Sequence, residues 1–281
     1  MKSIPLDRLV RLIKKTFGIS PCSKGNAAIE NDPYLKILDK VRSFDKFLSA
    51  EKAKISLKGP GRFWYPYGTL SGFYEFDQVL KGANRDIFNL INNMPVADIG
   101  AADGDVAFFL ERCGVKDIHI IDHGPTNCNR LDGARTLKKV LGSSVEIHDI
   151  NLDSYFQMPG TTFGLVMLWG TLYHLKNPFC LLETLAQCSK FCLISTRITS
   201  FFPDNKTAVS TVPIAYLLDE KECNNDNTNF WVFSEAGLRR ILKRSGWDIL
   251  FFSTCGSNHS TPASMEKTQR AFCLVKSRSL P

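Results

Sequence analysis

The segment Asp98-Ile99-Gly100-Ala101-Ala102-Asp103-Gly104-Asp105 combines two glycines with three carboxylates. Gly100 and Gly104 let a backbone turn sharply after a strand and come close to a ligand, and Ala101 would line the same turn. Their Gly-x-x-x-Gly spacing does not meet the Gly-x-Gly-x-x-Gly dinucleotide fingerprint, which makes a nicotinamide oxidoreductase the weakest class. The charge points the same way. Asp98, Asp103 and Asp105 would repel a pyrophosphate and attract a cation, such as a sulfonium with its neighbouring amino group. Ile120-Ile121-Asp122-His123 places a carboxylate at a second strand end, where it can accept both hydroxyl hydrogens of a ribose. Ile147-His148-Asp149-Ile150 repeats that arrangement at a third. A fourth strand leads into Trp169-Gly170-Thr171-Leu172-Tyr173-His174-Leu175-Lys176-Asn177-Pro178. Trp169 is a candidate to line the ligand, Tyr173 can hydrogen-bond a cofactor or substrate oxygen, and His174 is a candidate general base.

Positioning these groups at one edge requires strands that alternate with helices. The pattern predicts strands over 96–99, 117–122, 144–147, 165–169, 191–196, 248–253 and 271–276, and helices over 105–113, 131–141, 178–187 and 234–245. Ser234 caps the last helix and Gly246 ends it. The fold expected is α/β: a Rossmann-like, seven-stranded, mostly parallel sheet with helices on both faces, the last two strands joined without a helix. Residues 1–92 read as an N-terminal helical accessory segment, with helices over 6–17, 34–53 and 78–92 and an aromatic loop over 58–68. Residues 93–281 read as the ligand-binding domain, with an insertion at about 197–231 as a lid.

The length of 281 residues suffices for one catalytic α/β domain plus that segment. No apolar run is long enough to cross a bilayer, and Asp7, Arg8, Arg11, Lys14 and Lys15 break up the N-terminus, so a cytoplasmic protein is expected. The nine cysteines are scattered and include no Cys-x-x-Cys pair, which reads as buried reduced thiols. Cys188 and Cys192 have no His or Cys partners nearby, and no metal is expected. The net charge of +7 permits an anionic partner such as RNA, although the excess is spread out.

Over 96–276 the residues resemble class I methyltransferases that use S-adenosylmethionine (SAM). Within that class, the segment from Leu172 to Pro178 resembles the Leu-Tyr-His-x-x-x-Pro segment of the tRNA wobble-uridine carboxymethyltransferase family. Lys58-Gly59-Pro60, Asn229-Phe230-Trp231-Val232-Phe233-Ser234 and Arg270-Ala271 resemble further segments of that family, in the same order. Ala101-Ala102 stands where the family has a Cys-Gly pair. The resemblance implies SAM as the cofactor, with Asp149 receiving the adenine amine and Ile150 packing on the ring. It also implies that Lys58, Tyr173 and Arg270 hold the extra carboxylate of carboxy-SAM, should that be the cofactor. Two cations and a phenol converging on one carboxylate is sound chemistry. The activity expected is one-carbon group transfer, methyl or carboxymethyl, to tRNA wobble uridine or to a small molecule. The alternative is a non-catalytic binding module that has kept the fold.

Overall fold

The computed structural model describes residues 32–57, 62–160 and 162–281. The expected helix over 6–17 and the residue Lys58 lie outside them. The first described helix, α1 (Pro33–Ala53), starts at Asp32, whose carboxylate accepts the backbone N–H groups of Tyr34 and Leu35 at 2.8 and 3.4 Å. Tyr34, Ile37, Val41, Phe44 and Leu48 recur at three- and four-residue steps and are buried as one stripe. That stripe joins the same hydrophobic cluster as Val96, Phe108, Phe109, Leu165 and Leu274 of the following domain. The Tyr34 hydroxyl donates to the Phe73 carbonyl at 2.7 Å inside it.

The single helix expected over 78–92 is not formed. Helix α2 (Gly72–Phe76) is followed by a 3-10 turn at Gly82–Arg85 and then by α3 (Ile87–Ile91). Gly82 sits at φ +58°, outside the helical region, and the Asp86 carboxylate opens a fresh helix by accepting from Phe88 N at 2.9 Å.

The core domain then runs β1 (Val96–Ile99), α4 (Asp105–Arg112), β2 (Ile118–Asp122), α5 (Asp132–Leu141), β3 (Glu146–Asp149), β4 (Phe163–Trp169), α6 (Pro178–Cys188), β5 (Ser189–Thr199), β6 (Ala215–Leu217), β7 (Trp231–Ser234), α7 (Glu235–Arg244), β8 (Trp247–Gly256) and β9 (Gln269–Ser277). All seven expected strands are present. They form the order β3-β2-β1-β4-β5, parallel throughout, and continue through β9, antiparallel to β5, and β8, antiparallel to β9. The sheet has nine strands rather than seven. The distal end of β5 also pairs with β7, and β6 adds to β7 antiparallel. These two short strands arise within and just after the connection expected to be a lid, so that segment is partly built into the sheet.

Strand alternation divides the residues between two cores. Val96, Ile120, Met167, Leu193, Phe272 and Leu274 face α1, α2 and α4. Ala97, Ile99, Ile121, Val166, Ile194 and Cys273 face α6 and α7, where Trp247 is fully buried. Asp98, Asp122, Trp169, Arg197 and Arg270 therefore fall on the first face, at or near the carboxyl ends of β1, β2, β4 and β5 and the start of β9. Among the described residues no helix is long and apolar enough to cross a membrane.

Candidate active site

The turn after β1 is held in a geometry that few side chains would tolerate. Gly100 and Gly104 lie at φ +66° and +82°. A Cβ on Gly100 would overlap the Thr171 side chain, and one on Gly104 would come within 2.6 Å of Ile120 Cδ1. Ala102 adopts φ +55°, a left-handed conformation that favours glycine. Its amide donates to Asp122 Oδ2 at 3.2 Å, which offsets part of that cost. The loop is thereby pinned to the end of β2.

Four carboxylates converge on this turn, and most are already partnered. Asp103 is 1% exposed and accepts from Lys52 Nζ at 2.9 Å, from the Tyr65 amide at 2.9 Å and from Asn129 Nδ2 at 2.7 Å. Lys52, reaching in from the end of α1, also donates to Asp105 at 2.9 Å. Burial disfavours the lysine's charge, but Asp105 and Asp103 outweigh it and hold its pKa above the ordinary value. Asp122 accepts from Asn127 Nδ2, the His123 amide and the Ala102 amide at 3.0, 2.7 and 3.2 Å. Asp98 is the exception. It is buried, its Oδ2 has no hydrogen-bond partner among the described residues, and desolvation pushes its pKa up to about 7. The charges of Asp122 and Asp105 add to that rise, and the Ala107 amide opposes it.

At the neighbouring strand end, Asp149 is exposed and accepts the Gly124 amide at 2.8 Å, while half-buried Ile150 donates its own amide to the Asp122 carbonyl at 2.9 Å. Trp169 is turned into packing: its ring stacks on Phe76 at 4.7 Å and meets Phe73 edge-on at 5.0 Å. Its Nε1 is buried without a partner among the described residues. Beyond β4, the Arg270 guanidinium lies 5.7 Å from the centre of the Tyr173 ring. Two of the three residues matched to a carboxylate clamp are thus adjacent; the third, Lys58, lies outside the described residues.

His174 is tied to the insertion. Its Nδ1 lies 2.9 Å from Thr228 Oγ1 and 3.1 Å from the Thr228 carbonyl. The Thr228 hydroxyl donates to Asp226 Oδ1 at 2.6 Å, so its oxygen and the carbonyl are acceptors and Nδ1 carries the proton. That leaves the lone pair on Nε2. Burial lowers the His174 pKa and keeps the ring neutral, with Asp226 opposing the shift.

The sequence did not single out Lys52, Tyr65, Asn127, Asn129 or Thr228. Tyr65 closes the turn from the aromatic segment. Burial lifts its phenol to about 12, with Tyr173, Cys128, Tyr67 and Asp122 contributing. Asn127 and Asn129 belong to a polar loop after β2, whose asparagines were the only available signal.

The fold and this edge define an α/β protein of the Rossmann-like class, with an acidic, glycine-containing turn at the carboxyl end of its first strands. Residues 76–250 match the family described as the methyltransferase domain, and the chain belongs to that family. No curated protein matches the sequence. Among solved structures, the N-terminal domain of EvdMO1 with SAH bound is similar at 16% identity and a TM-score of 0.54, over 83% of this chain and 97% of that one. The same domain in the presence of SAH and D-fucose matches at 17% identity and a TM-score of 0.51, over 68% of this chain and 80% of that one. The [4+2]-cyclase SpnF matches at 10% identity and a TM-score of 0.51, over 84% and 94%. At these identities the likeness is one of fold.

The geometry leads to two expected outcomes. Lys52→Met leaves Asp103 and Asp105 buried without their cation and should cost about 3–5 kcal/mol in urea unfolding at pH 7, with partial recovery when Asp105→Asn is added. A loss below about 1 kcal/mol would show that the ion pair is not what holds α1 to the turn. Nitrogen NMR of the His174 ring should report a neutral imidazole protonated at Nδ1 at pH 7, and Thr228→Val should shift the tautomer balance; a protonated Nε2 in the wild type would contradict the assignment.

Proposed function

We propose that the chain is a SAM-dependent methyltransferase, with the cofactor held against the turn after β1 and the acceptor between Tyr173, His174 and Arg270. The observation that carries this reading is Asp98. A buried carboxylate with an unpartnered oxygen, beside a turn whose other acids are already bonded, is matched to a cationic ligand. Gly100 and Gly104 let the backbone take its left-handed turn while packing closely on Thr171 and Ile120, which fixes the loop beside Asp98. The SAH present with the EvdMO1 domain supports the same cofactor.

In this reading SAM supplies a methyl group activated by attachment to a positively charged sulfur. Asp98 stabilises the cationic side, and Gly100, Ala101 and Gly104 shape the backbone around it. Asp122, oriented by Asn127 and the Ala102 and His123 amides, accepts from the ribose hydroxyls. Asp149 accepts from the adenine amine and Ile150 covers the ring. Tyr173 bonds an acceptor oxygen, and His174 Nε2 takes the acceptor's proton. Alignment and exclusion of water by Tyr65 and its neighbours supply much of the rate.

A second reading concerns the anion that the arginines await. Arg197 and Arg270 face each other across β5 and β9, and neither forms a salt bridge among the described residues. The Arg197 guanidinium binds Cys223 Sγ at 3.1 Å and the Ser264 carbonyl, and its buried Nε is unpartnered. Such a pair suits a carboxylate, either on carboxy-SAM, with carboxymethyl transfer to tRNA wobble uridine, or on a small acceptor molecule.

Calorimetry should show one SAM site, displaced by S-adenosylhomocysteine and weakened at least about tenfold in Asp122→Ala. The Asp98 charge that attracts the cation exists above a pKa of about 7, so affinity should fall as pH drops. From pH 8 to pH 6 the loss should be roughly tenfold, and Asp98→Asn should abolish this dependence. Absence of binding, or an unchanged profile in Asp98→Asn, would remove the reading. If carboxy-SAM is the cofactor, Arg270→Ala should weaken it far more than SAM; equal binding of both by the wild type would leave the arginines to the acceptor.

A further inference from the structure

On the opposite face of the sheet, β2 and its edge neighbour β3 bring together three side chains that are far apart in sequence. His119 and Glu146 are register partners, and His148 lies two residues on, on the same side of β3. His119 Nδ1 lies 2.9 Å from His148 Nε2, and Glu146 Oε2 lies 3.5 Å from the first and 3.4 Å from the second. We propose that His119, His148 and Glu146 form a binding site for a divalent transition-metal ion of the zinc type, independent of the cofactor site. The sequence pattern points to no metal, and the cluster becomes visible only through strand pairing.

His119 is prepared in the way such sites require, and His148 Nε2, which donates to His119 Nδ1 at 2.9 Å, releases its proton to solvent when an ion binds. The other ring nitrogen of His119 sits 2.8 Å from Asp117 Oδ1, which can only accept, so Nε2 carries the proton and Nδ1 presents its lone pair. A carboxylate that orients a ligating imidazole from behind is the usual outer partner of a metal histidine. Phe163 packs edge-on against the His119 ring at 5.5 Å, and the His148 ring stacks on it at 5.2 Å. His119 is buried and fixed, whereas the side chains of His148 and Glu146 are 25% and 61% exposed and can adjust while an ion enters from solvent. Two ligand atoms bound tetrahedrally to zinc are about 3.3 Å apart, given bonds of roughly 2.0–2.1 Å. The two carboxylate distances already match this, and the two nitrogens need to part by only a few tenths of an ångström. Two imidazoles and one carboxylate favour zinc, cobalt, nickel or copper over magnesium or calcium, and a water completes the shell.

Cobalt(II) chloride added to the full chain under reducing conditions is the test. The wild type should take up one ion per chain, with visible d–d bands of a nitrogen and oxygen site and no thiolate charge-transfer band. Zinc should displace the ion, and an equal concentration of magnesium should not. His148→Ala, at a half-buried edge-strand position, and Glu146→Gln, at an exposed one, should keep the wild-type circular dichroism spectrum and bind at least about tenfold more weakly. No stoichiometric uptake by the wild type, uptake through thiolates, or uptake unchanged in His148→Ala would overturn the proposal. SAM affinity of the same variants should stay at the wild-type value, so failure here is separate from failure of the cofactor reading.

Discussion

Negative charge buried at the end of β1 is the constraint around which the rest of this molecule is arranged. Asp98, Asp103, Asp105 and Asp122 lie within a few residues of one turn or its neighbouring strand end, where removal from water costs each unpaired carboxylate several kcal/mol. The chain answers with one lysine and a set of amides. Lys52 comes from α1, the Tyr65 amide from the aromatic segment, and the Asn127 and Asn129 amides from the loop after β2. Three segments outside the sheet thus reach the turn by neutralising or bonding one of these acids. The expected accessory segment is therefore part of the site's construction: α1 shares the domain's core and delivers the cation.

One acid stays uncompensated, and its identity matters. Asp103 and Asp105 looked like cation-attracting groups in the sequence, yet their charge is spent on Lys52. In the proposed reading the attraction rests on Asp98, which lies on the strand rather than in the loop and whose pKa is pushed up to about 7 by its burial. A ligand carrying positive charge would stabilise the ionised form, so the energy stored in burying Asp98 is available for binding.

The strands and the carboxyl-end residues were legible because they depend on local patterns. Apolar runs such as Leu165 to Trp169, flanked by glycine and polar residues, mark a buried parallel strand, and the residues just beyond each parallel strand must lie at the ligand edge. The features that escaped depend on contacts between distant residues. Lys52 on a helix is indistinguishable by pattern from a solvated lysine. Strand β6 is three residues long with two exposed, so it carries no alternation long enough to detect. The 78–92 stretch has helical spacing, and only the competing cap at Asp86 and the left-handed Gly82 divide it. The His119 cluster likewise exists only in the register of β2 on β3.

The fold alone would not decide the chemistry, since a structure of the same architecture carries the name of a [4+2]-cyclase. What narrows it is the distribution of charge along one sheet face. Acids occupy the ends of β1 and β2, and arginines occupy β5 and β9, with Tyr173 and His174 between them. The insertion fixes that middle ground through the Phe230 amide on the Tyr173 carbonyl at 2.9 Å and through Thr228 on His174. In the proposed reading, a cation at one end and an anion at the other would be brought into line across a neutral imidazole. Transfer of a one-carbon group from a cationic sulfur to a nucleophile dissipates charge in the direction this arrangement already points. A cycloaddition between neutral partners would draw nothing from either end, which is why two of the buried atoms left without a hydrogen bond among the described residues, Asp98 Oδ2 and Arg197 Nε, argue for group transfer.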